Sequence, residues 1–432
     1  MLTNADPDIS THVKALSSST LSTSKPDFHG ATSTVLDALI GKEYYPIEEE
    51  GASDTHSNTH VKVKSRLNAA IYPVKDKIPD VNSPQVQAWV SEIDWAKVPN
   101  IPVAPQHPQV KHFPLCPPQG QENKEACWWS CTGCVAKTDV ITCPNSKAWG
   151  LTYDDGPSPA TWSMMKHLGE MKLTATFFIV GSRVVEFPEV LMEQVAQGHH
   201  LGMHTWSHAG LTTLTNHQIV AEIKWTEKII RDVTGLTMKY VRPPYGDTDN
   251  RVREILRQMG YTTVIWTVGW DTNDWRILEN QVQETEVLQD FKNVVERAGS
   301  IKSQSGKAAG PISLQHDLSE SATWLSTRLI PLGQAKGLMP MNLATCLSDN
   351  TPYRRGSKLG PGGATQKPNG GDSKGMARGM PGMEEADFGS DANFPTGSGS
   401  MSERGVKLCG FKQTMAYAAV GLAAVAFAML TV

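Results

Sequence analysis

The chain carries no long block of lysine or arginine, no Asn-x-Ser/Thr acceptor site, no signal-peptide pattern within Met1 to Lys14 and no internal repeat. Each absence removes a class of explanation. Without a basic block, and with a formal net charge of -4, the composition argues against nucleic acid as a partner. Without an acceptor site, N-glycosylation says nothing of compartment. Met1 to Lys14 lacks the basic and apolar regions of a signal peptide. Without a repeat, the 432 residues are read as one large domain with flanking segments.

Cysteine is sparse but clustered. Five of the seven, Cys116, Cys127, Cys131, Cys134 and Cys143, precede the first strand signal; Cys346 closes the candidate core and Cys409 lies near the C-terminus. The spacing of Cys127, Cys131, Cys134 and Cys143 is irregular for a zinc knuckle and favours disulfides in a secreted chain. Loss of Cys409 by processing leaves an even six, and Cys346 is expected to bridge back to the N-terminal cluster.

Residues 1–110 show little apolar periodicity, with a Ser/Thr run at Ser17 to Ser24 and an acidic stretch at Glu48 to Asp54, and read as a largely irregular extension. Residues 111–146 form a Pro/Cys-rich segment expected to pack on the domain, and the proline-rich Pro102 to Gly120 reads as extended. In Cys127-Trp128-Trp129-Ser130-Cys131 the tryptophans could stack on sugar rings, though covering a core edge is the commoner use. Residues 347–402, dense in Gly, Ser and Pro, read as a disordered stalk. Residues 403–432 end in 18 uncharged residues from Met415 to Val432, preceded by a polar spacer and by Ser398-Gly399-Ser400. That order is the order of a GPI-anchor signal; a tail-anchored helix is the alternative, but it would only just span and lacks following basic residues. The expectation is a lipid anchor, rather than a spanning helix, at the plasma membrane or cell wall. Such an anchor needs the secretory pathway, so either the true start lies upstream of Met1 or the anchor reading fails.

Between 147 and 346 short apolar runs alternate with helical patterns. Strands are expected at Trp149–Asp154, Ala175–Val180, His200–His204, Tyr240–Arg242, Thr262–Thr267, Pro311–His316 and Met339–Leu343. Helices are expected at Ala160–Met171, Arg183–Gln197, Asn216–Thr234, Asp249–Met259, Glu284–Ala298 and Glu320–Leu332, with Gly198, Gly235, Gly260 and Gly299 as C-caps. Strand–helix alternation implies a parallel sheet with crossover helices. The fold class is therefore α/β, a distorted and incomplete (β/α) barrel of about seven strands.

Five clusters follow strand signals, and functional groups in such barrels gather at strand C-termini. Thr152-Tyr153-Asp154-Asp155-Gly156 puts two adjacent carboxylates at a strand end, where alternation turns them different ways: one free to bind a cation, one to act as a base. His204 and His208, four apart, can present imidazoles to one ion; with a carboxylate they make a hydrolytic metal set, zinc above all. Arg242-Pro243-Pro244-Tyr245-Gly246 offers a cation for a carboxylate and a rigid N–H for an oxyanion. Asp271-Thr272-Asn273-Asp274-Trp275 sets a carboxylate beside an aromatic wall. In Ile312-Ser313-Leu314-Gln315-His316-Asp317, Leu314 and His316 share a face, with an acid at the rim. Any one of these alone is most often an ordinary loop or turn.

Together and in this order, the five resemble the motif set of the polysaccharide deacetylase family, carbohydrate esterases with a NodB homology domain that include fungal GPI-anchored chitin deacetylases. The likeness covers about 147–346, and Tyr153 stands where that family more often has Phe. The resemblance implies a deformed (β/α) barrel and metal-dependent deacetylation of N-acetylglucosamine units. It implies Asp155, His204 and His208 as metal ligands, Asp154 as general base and His316 as general acid. It further implies that Arg242 orients Asp154, Asp274 tunes His316, the Tyr245 N–H binds the oxyanion, and Trp275 and Leu314 line the acetyl pocket. The implied cofactor is one divalent ion, zinc or alternatively cobalt. The expected substrate is chitin or its oligosaccharides in the wall of a eukaryote such as a fungus. An acetylxylan esterase and a non-catalytic chitin-binding wall protein are the alternatives.

Overall fold

The computed structural model describes residues 67–278 and 281–354. Most of the N-terminal extension, nearly all of the expected stalk, the anchor signal and Cys409 lie outside the described residues. Strands are β1 (Ala148–Gly150), β2 (Thr152–Asp154), β3 (Thr176–Ile179), β4 (His200–Met203), β5 (Tyr240–Val241), β6 (Thr262–Thr263), β7 (Gln315–His316) and β8 (Met339–Met341). The principal helices are α1 (Pro84–Val90), α2 (Ala160–Glu170), α3 (Pro188–Ala196), α4 (Asn216–Thr234), α5 (Asn250–Gln258), α6 (Glu284–Glu296) and α7 (Glu320–Ala335). Six strands form one sheet in the order β6-β5-β4-β3-β2-β7, and β1 pairs with β8; every strand pairing is parallel. This is the α/β class with crossover helices that the alternation implies.

Two expected elements divide. The apolar run Trp149–Asp154 is not one strand. Trp149 pairs with Pro340 in the small sheet and Tyr153 with Phe177 and Gln315 in the large one, and the chain changes sheets at Leu151. The expected helix Arg183–Gln197 breaks into Gly181–Val184 and α3, because Pro188 occupies the first turn of the second piece and cannot continue a helix begun before it. Gly299 lies inside a short 3-10 turn at Ala298–Ser300 rather than capping α6.

Residues 67–110 depart from the irregular reading. Ser83 caps α1 with Pro84 behind it, and Val86 and Val90, four apart, bury one face of that helix. With Tyr72 and Ile93 they belong to the main core, where Tyr72 packs beside Trp206 and Trp225. Pro102 to Gly120 is not simply extended either: Gln106 and Pro114 pair antiparallel across a tight loop.

Disulfides join Cys116 to Cys131, Cys127 to Cys134 and Cys143 to Cys346. The last joins the chain just before β1 to the chain just after β8, as the isolated position of Cys346 leads one to expect. Beyond it the chain runs along the N-terminal ends of the central strands. The Tyr353 hydroxyl accepts from Leu201 N at 3.1 Å, and Arg354 N donates to Thr237 O at 2.9 Å. Among the described residues no helix is long and apolar enough to cross a membrane.

Candidate active site

Asp154 is the last residue of β2 and is 1% exposed. Its Oδ1 accepts from Arg242 Nη1 at 2.8 Å. Arg242 follows β5, is fully buried, also donates to Thr152 Oγ1 at 2.7 Å and lies 4.2 Å from the Phe178 ring centroid. A buried guanidinium needs this pairing, since an isolated charge there costs several kcal/mol.

Asp155 turns the other way, as adjacent residues leaving a strand do. Its φ of 80° puts it in the left-handed region. Its Oδ1 lies 3.2 Å from His204 Nε2 and 3.0 Å from His208 Nε2. Burial alone would raise this carboxyl; the two imidazoles outweigh burial and hold it well below the usual carboxylate range. Asp317 supports the turn from β7. It is fully buried and accepts from Gly156 N at 2.9 Å and Thr161 Oγ1 at 2.6 Å. A Cβ on residue 156 would collide with that carboxylate, so glycine is required there. The acid expected at a pocket rim is thus a buried brace, and burial pushes it up to about 7.

His204 and His208 come from the loop after β4. His204 Nδ1 faces the Arg242 carbonyl at 2.7 Å, and a carbonyl only accepts, so Nδ1 carries the proton and the Nε2 lone pair faces Asp155. Asp155, His204 and His208 each offer a ligand atom within 4.8 Å of the others. Asp155 Oδ1 is buried with no hydrogen-bond donor. Three ligand atoms converging on one point fit a cation, and a His/His/carboxylate set suits a divalent one. The loop is strained: Thr205 and His208 have φ of 66° and 58°. For a β-branched threonine this is an outlier, costing roughly 1–3 kcal/mol.

The third and fourth clusters flank the trio. Tyr245 has φ 59°, and its ring lies 4.8 Å from that of His208 and 5.2 Å from that of Phe113. The Cys-rich segment holds this turn: Trp128 Nε1 and Ser130 Oγ donate to Asp247 at 2.8 and 2.7 Å, and Trp129 packs where a side chain at Gly246 would stand. Both tryptophans therefore cover an edge of the domain. Asp274 accepts from His316 N at 2.8 Å through Oδ2, and its Oδ1 lies 2.7 Å from His316 Nδ1. Burial would lower the His316 imidazole, but Asp274, with Asp155 and Asp154 behind it, raises it to about 10. Strand register sets His316 beside Asp154. Leu314 is buried, its N–H donating to Trp270 O, and Trp275 is half-buried on the short helix Trp275–Leu278. The Tyr153 hydroxyl pairs with Ser326 Oγ at 2.5 Å, away from Asp154.

One supporting group is absent from the five clusters. Glu222 of α4 is fully buried and accepts from Trp206 N, Ser207 N and Ser207 Oγ at 2.7, 2.8 and 2.6 Å. Burial raises its carboxyl to about 7 against those donors. A signal was present: Glu222 interrupts the buried stripe Ile219, Ile223, Thr226, Ile230, where a charge is out of place.

A family model described as polysaccharide deacetylase matches residues 142–264, which include Asp154, Asp155, His204, His208, Arg242 and Tyr245. The chain is 39% identical over 312 residues to chitin deacetylase 1 of Cryptococcus neoformans var. grubii, covering 70% of this chain and 64% of that protein. It is 35% identical over 273 residues to the chitin deacetylase of Amylomyces rouxii, covering 61% of this chain and 62% of that one. With chitin deacetylase 1 of Saccharomyces cerevisiae it shares 34% identity over 233 residues, covering 54% of this chain and 71% of the relative. Among solved structures it is similar to the chitin deacetylase of Colletotrichum lindemuthianum, 27% identical over 51% of this chain and 97% of that one, with a TM-score of 0.44. The chain belongs to the polysaccharide deacetylase family. It spans 64% and 62% of the length of the first two fungal relatives.

Proposed function

We propose that this protein hydrolyses the N-acetyl groups of N-acetylglucosamine units in chitin, giving chitosan and acetate in the remodelling of a cell wall. The observation that carries the reading is the register of β2 on β7, which sets Asp154 directly beside His316. It supports a base and an acid on adjacent strands, with the Asp155, His204 and His208 trio next to them.

An amide is a poor electrophile with a poor leaving group. A divalent ion held by Asp155, His204 and His208 would supply Lewis acidity, which takes the pKa of water from about 15.7 to about 7 and polarises a carbonyl. Asp154, anchored through Oδ1 by Arg242, would take the proton of the attacking water on its other oxygen. His316, with Nδ1 engaged by Asp274, keeps Nε2 to protonate the departing amine; without that proton the tetrahedral species reverts. Each transfer is worth roughly 10²–10⁴ in rate. The Tyr245 N–H would meet the oxyanion, and Trp275 and Leu314 would wall the acetyl methyl. Zinc suits the donor set best, with cobalt as a substitute.

Chitin is favoured over acetylxylan by the names of the fungal relatives. The C-terminal sequence pattern supports a GPI anchor and a place at the cell surface, in the plasma membrane or wall. Acetate release tests the reading, measured on chitin oligosaccharides and on acetylated xylan with and without a chelator. Chelator-sensitive acetate from the chitin oligomers is expected. Acetate from xylan alone would make the protein an esterase, and binding of chitin without acetate from either would make it a wall-binding protein.

A further inference from the structure

The trio at the candidate metal site depends on a loop that its own backbone does not favour. Thr205 and His208 both sit at left-handed φ, and His208 is one of the three residues whose ligand atoms converge. Within the loop, the tie is a single hydrogen bond from His208 N to Thr205 Oγ1 at 3.1 Å. From outside, Gly181 N and Ser182 N donate to the carbonyls of Thr205 and Trp206 at 2.9 and 3.2 Å, and Glu222 takes the N–H side of the same stretch. Its Oε2 takes the N–H groups of Trp206 and Ser207, and its Oε1 takes the Ser207 hydroxyl. Among the described residues no lysine or arginine lies within ion-pair distance of Glu222, so its charge is spent on the loop alone. A carboxylate accepts all three as charge-assisted bonds, whereas an amide of the same shape loses the charge and must reverse its bond to the Ser207 hydroxyl, keeping only neutral bonds to the loop.

Helix α4 is a firm base for that grip. It begins with a capping box between Thr215 and Gln218, and Thr226 Oγ1 bonds to the Glu222 carbonyl at 2.7 Å. From the opposite side Trp206 is fixed by packing on Tyr72 and by its Nε1 bond to Val74 O at 3.2 Å. The loop is therefore held between the N-terminal segment and α4, and Glu222 is the polar contact between helix and loop backbone.

We propose that Glu222 is a positioning residue of the metal centre: its buried carboxylate holds residues 204–208 in the left-handed conformation that brings His208 to Asp155 and His204, and so sets the affinity for a divalent ion. The proposal rests on the reading that this trio binds such an ion.

The test is zinc affinity of the full chain, measured by competition with a chromophoric chelator, together with the visible spectrum of the cobalt form. Glu222→Gln is expected to weaken zinc binding about 10- to 100-fold and to change the cobalt band. Ser207→Ala, which removes one donor and leaves the rest of the loop, is expected to weaken it a few-fold. Ile229→Ala, on the same helix and fully buried but with no bond to the loop, should lower the melting temperature by more than about 5 °C with zinc affinity unchanged. Wild-type affinity in both Glu222→Gln and Ser207→Ala overturns the proposal while leaving the metal reading intact. An equal loss in Ile229→Ala also overturns it, because general loosening then explains the effect. A wild-type chain that binds no divalent ion overturns the metal reading and the proposal with it.

Discussion

Replacing Asp274 with asparagine removes the charge that faces His316 and turns an amide NH2 toward one of the two backbone N–H groups, of His316 or Trp275, that the carboxylate accepts. The carboxylate is 2% exposed and lies 2.7 Å from Nδ1. A hydrogen bond to a charged partner is worth about 1.5–3 kcal/mol, and one pKa unit corresponds to about 1.36 kcal/mol. The imidazole should therefore fall by about 1–2 units from its raised position near 10. If His316 must arrive protonated, activity declines as pH rises through its pKa, so the alkaline limb of kcat/KM for acetate release should move to lower pH by that amount. The stability sign follows from linkage. A histidine raised from 6.5 to about 10 in the fold contributes stability that is complete below 6.5 and is lost as pH climbs through 10. Asp274→Asn should flatten that decline. Rate–pH profiles on a chitin oligosaccharide and thermal melts from pH 6 to about 10.5 check both. An alkaline limb that does not move would refute the pairing of Asp274 with the proton donor.

Asp154→Asn and His316→Ala should each keep bound metal and lose about 10²–10⁴ in kcat, read by metal analysis beside acetate release; near-wild-type turnover in either would reject its role. Dialysis against a chelator should abolish activity and zinc should restore it; activity that survives complete metal removal would dismiss the trio. Gly156→Ala drives a methyl into Asp317 and should cost about 1–3 kcal/mol in denaturant midpoint, with activity falling as the Asp155 turn shifts. Replacing Cys143 and Cys346 with serine opens a loop spanning 203 residues, for which chain entropy gives up to about 5 kcal/mol; a melting temperature within a degree of wild type would show that the bridge constrains little.

Groups that act at strand ends were legible because their chemistry is local. Paired aspartates before a glycine, histidines four apart and an arginine before two prolines each declare themselves within five residues, and a parallel sheet then brings them together. What supports them was harder to read. Glu222 touches the loop at 206 and 207 from another element, and only its misplaced charge on an apolar stripe hinted at a polar partner. Asp317 read as an acid at a pocket rim because sequence does not show that Gly156 and Thr161 enclose it. The change of sheet at Leu151 was hidden inside an unbroken apolar run, since both pairings bury the same residue types. Residues 67–110 read as irregular because their apolar side chains are few, yet Tyr72, Val86 and Val90 each fill a place in a core built by the rest of the chain.

The bonds of Tyr353 to Leu201 and of Arg354 to Thr237 fasten residues 353 and 354 where β4 and β5 begin, whereas Asp154, His204, Arg242 and His316 stand where strands finish. Residues 353 and 354 and the candidate site thus lie at opposite ends of the central strands. A bead, a dye or a carrier coupled at position 354 itself would sit at the far end of the sheet from Asp154 and His316 and leave the approach to them open.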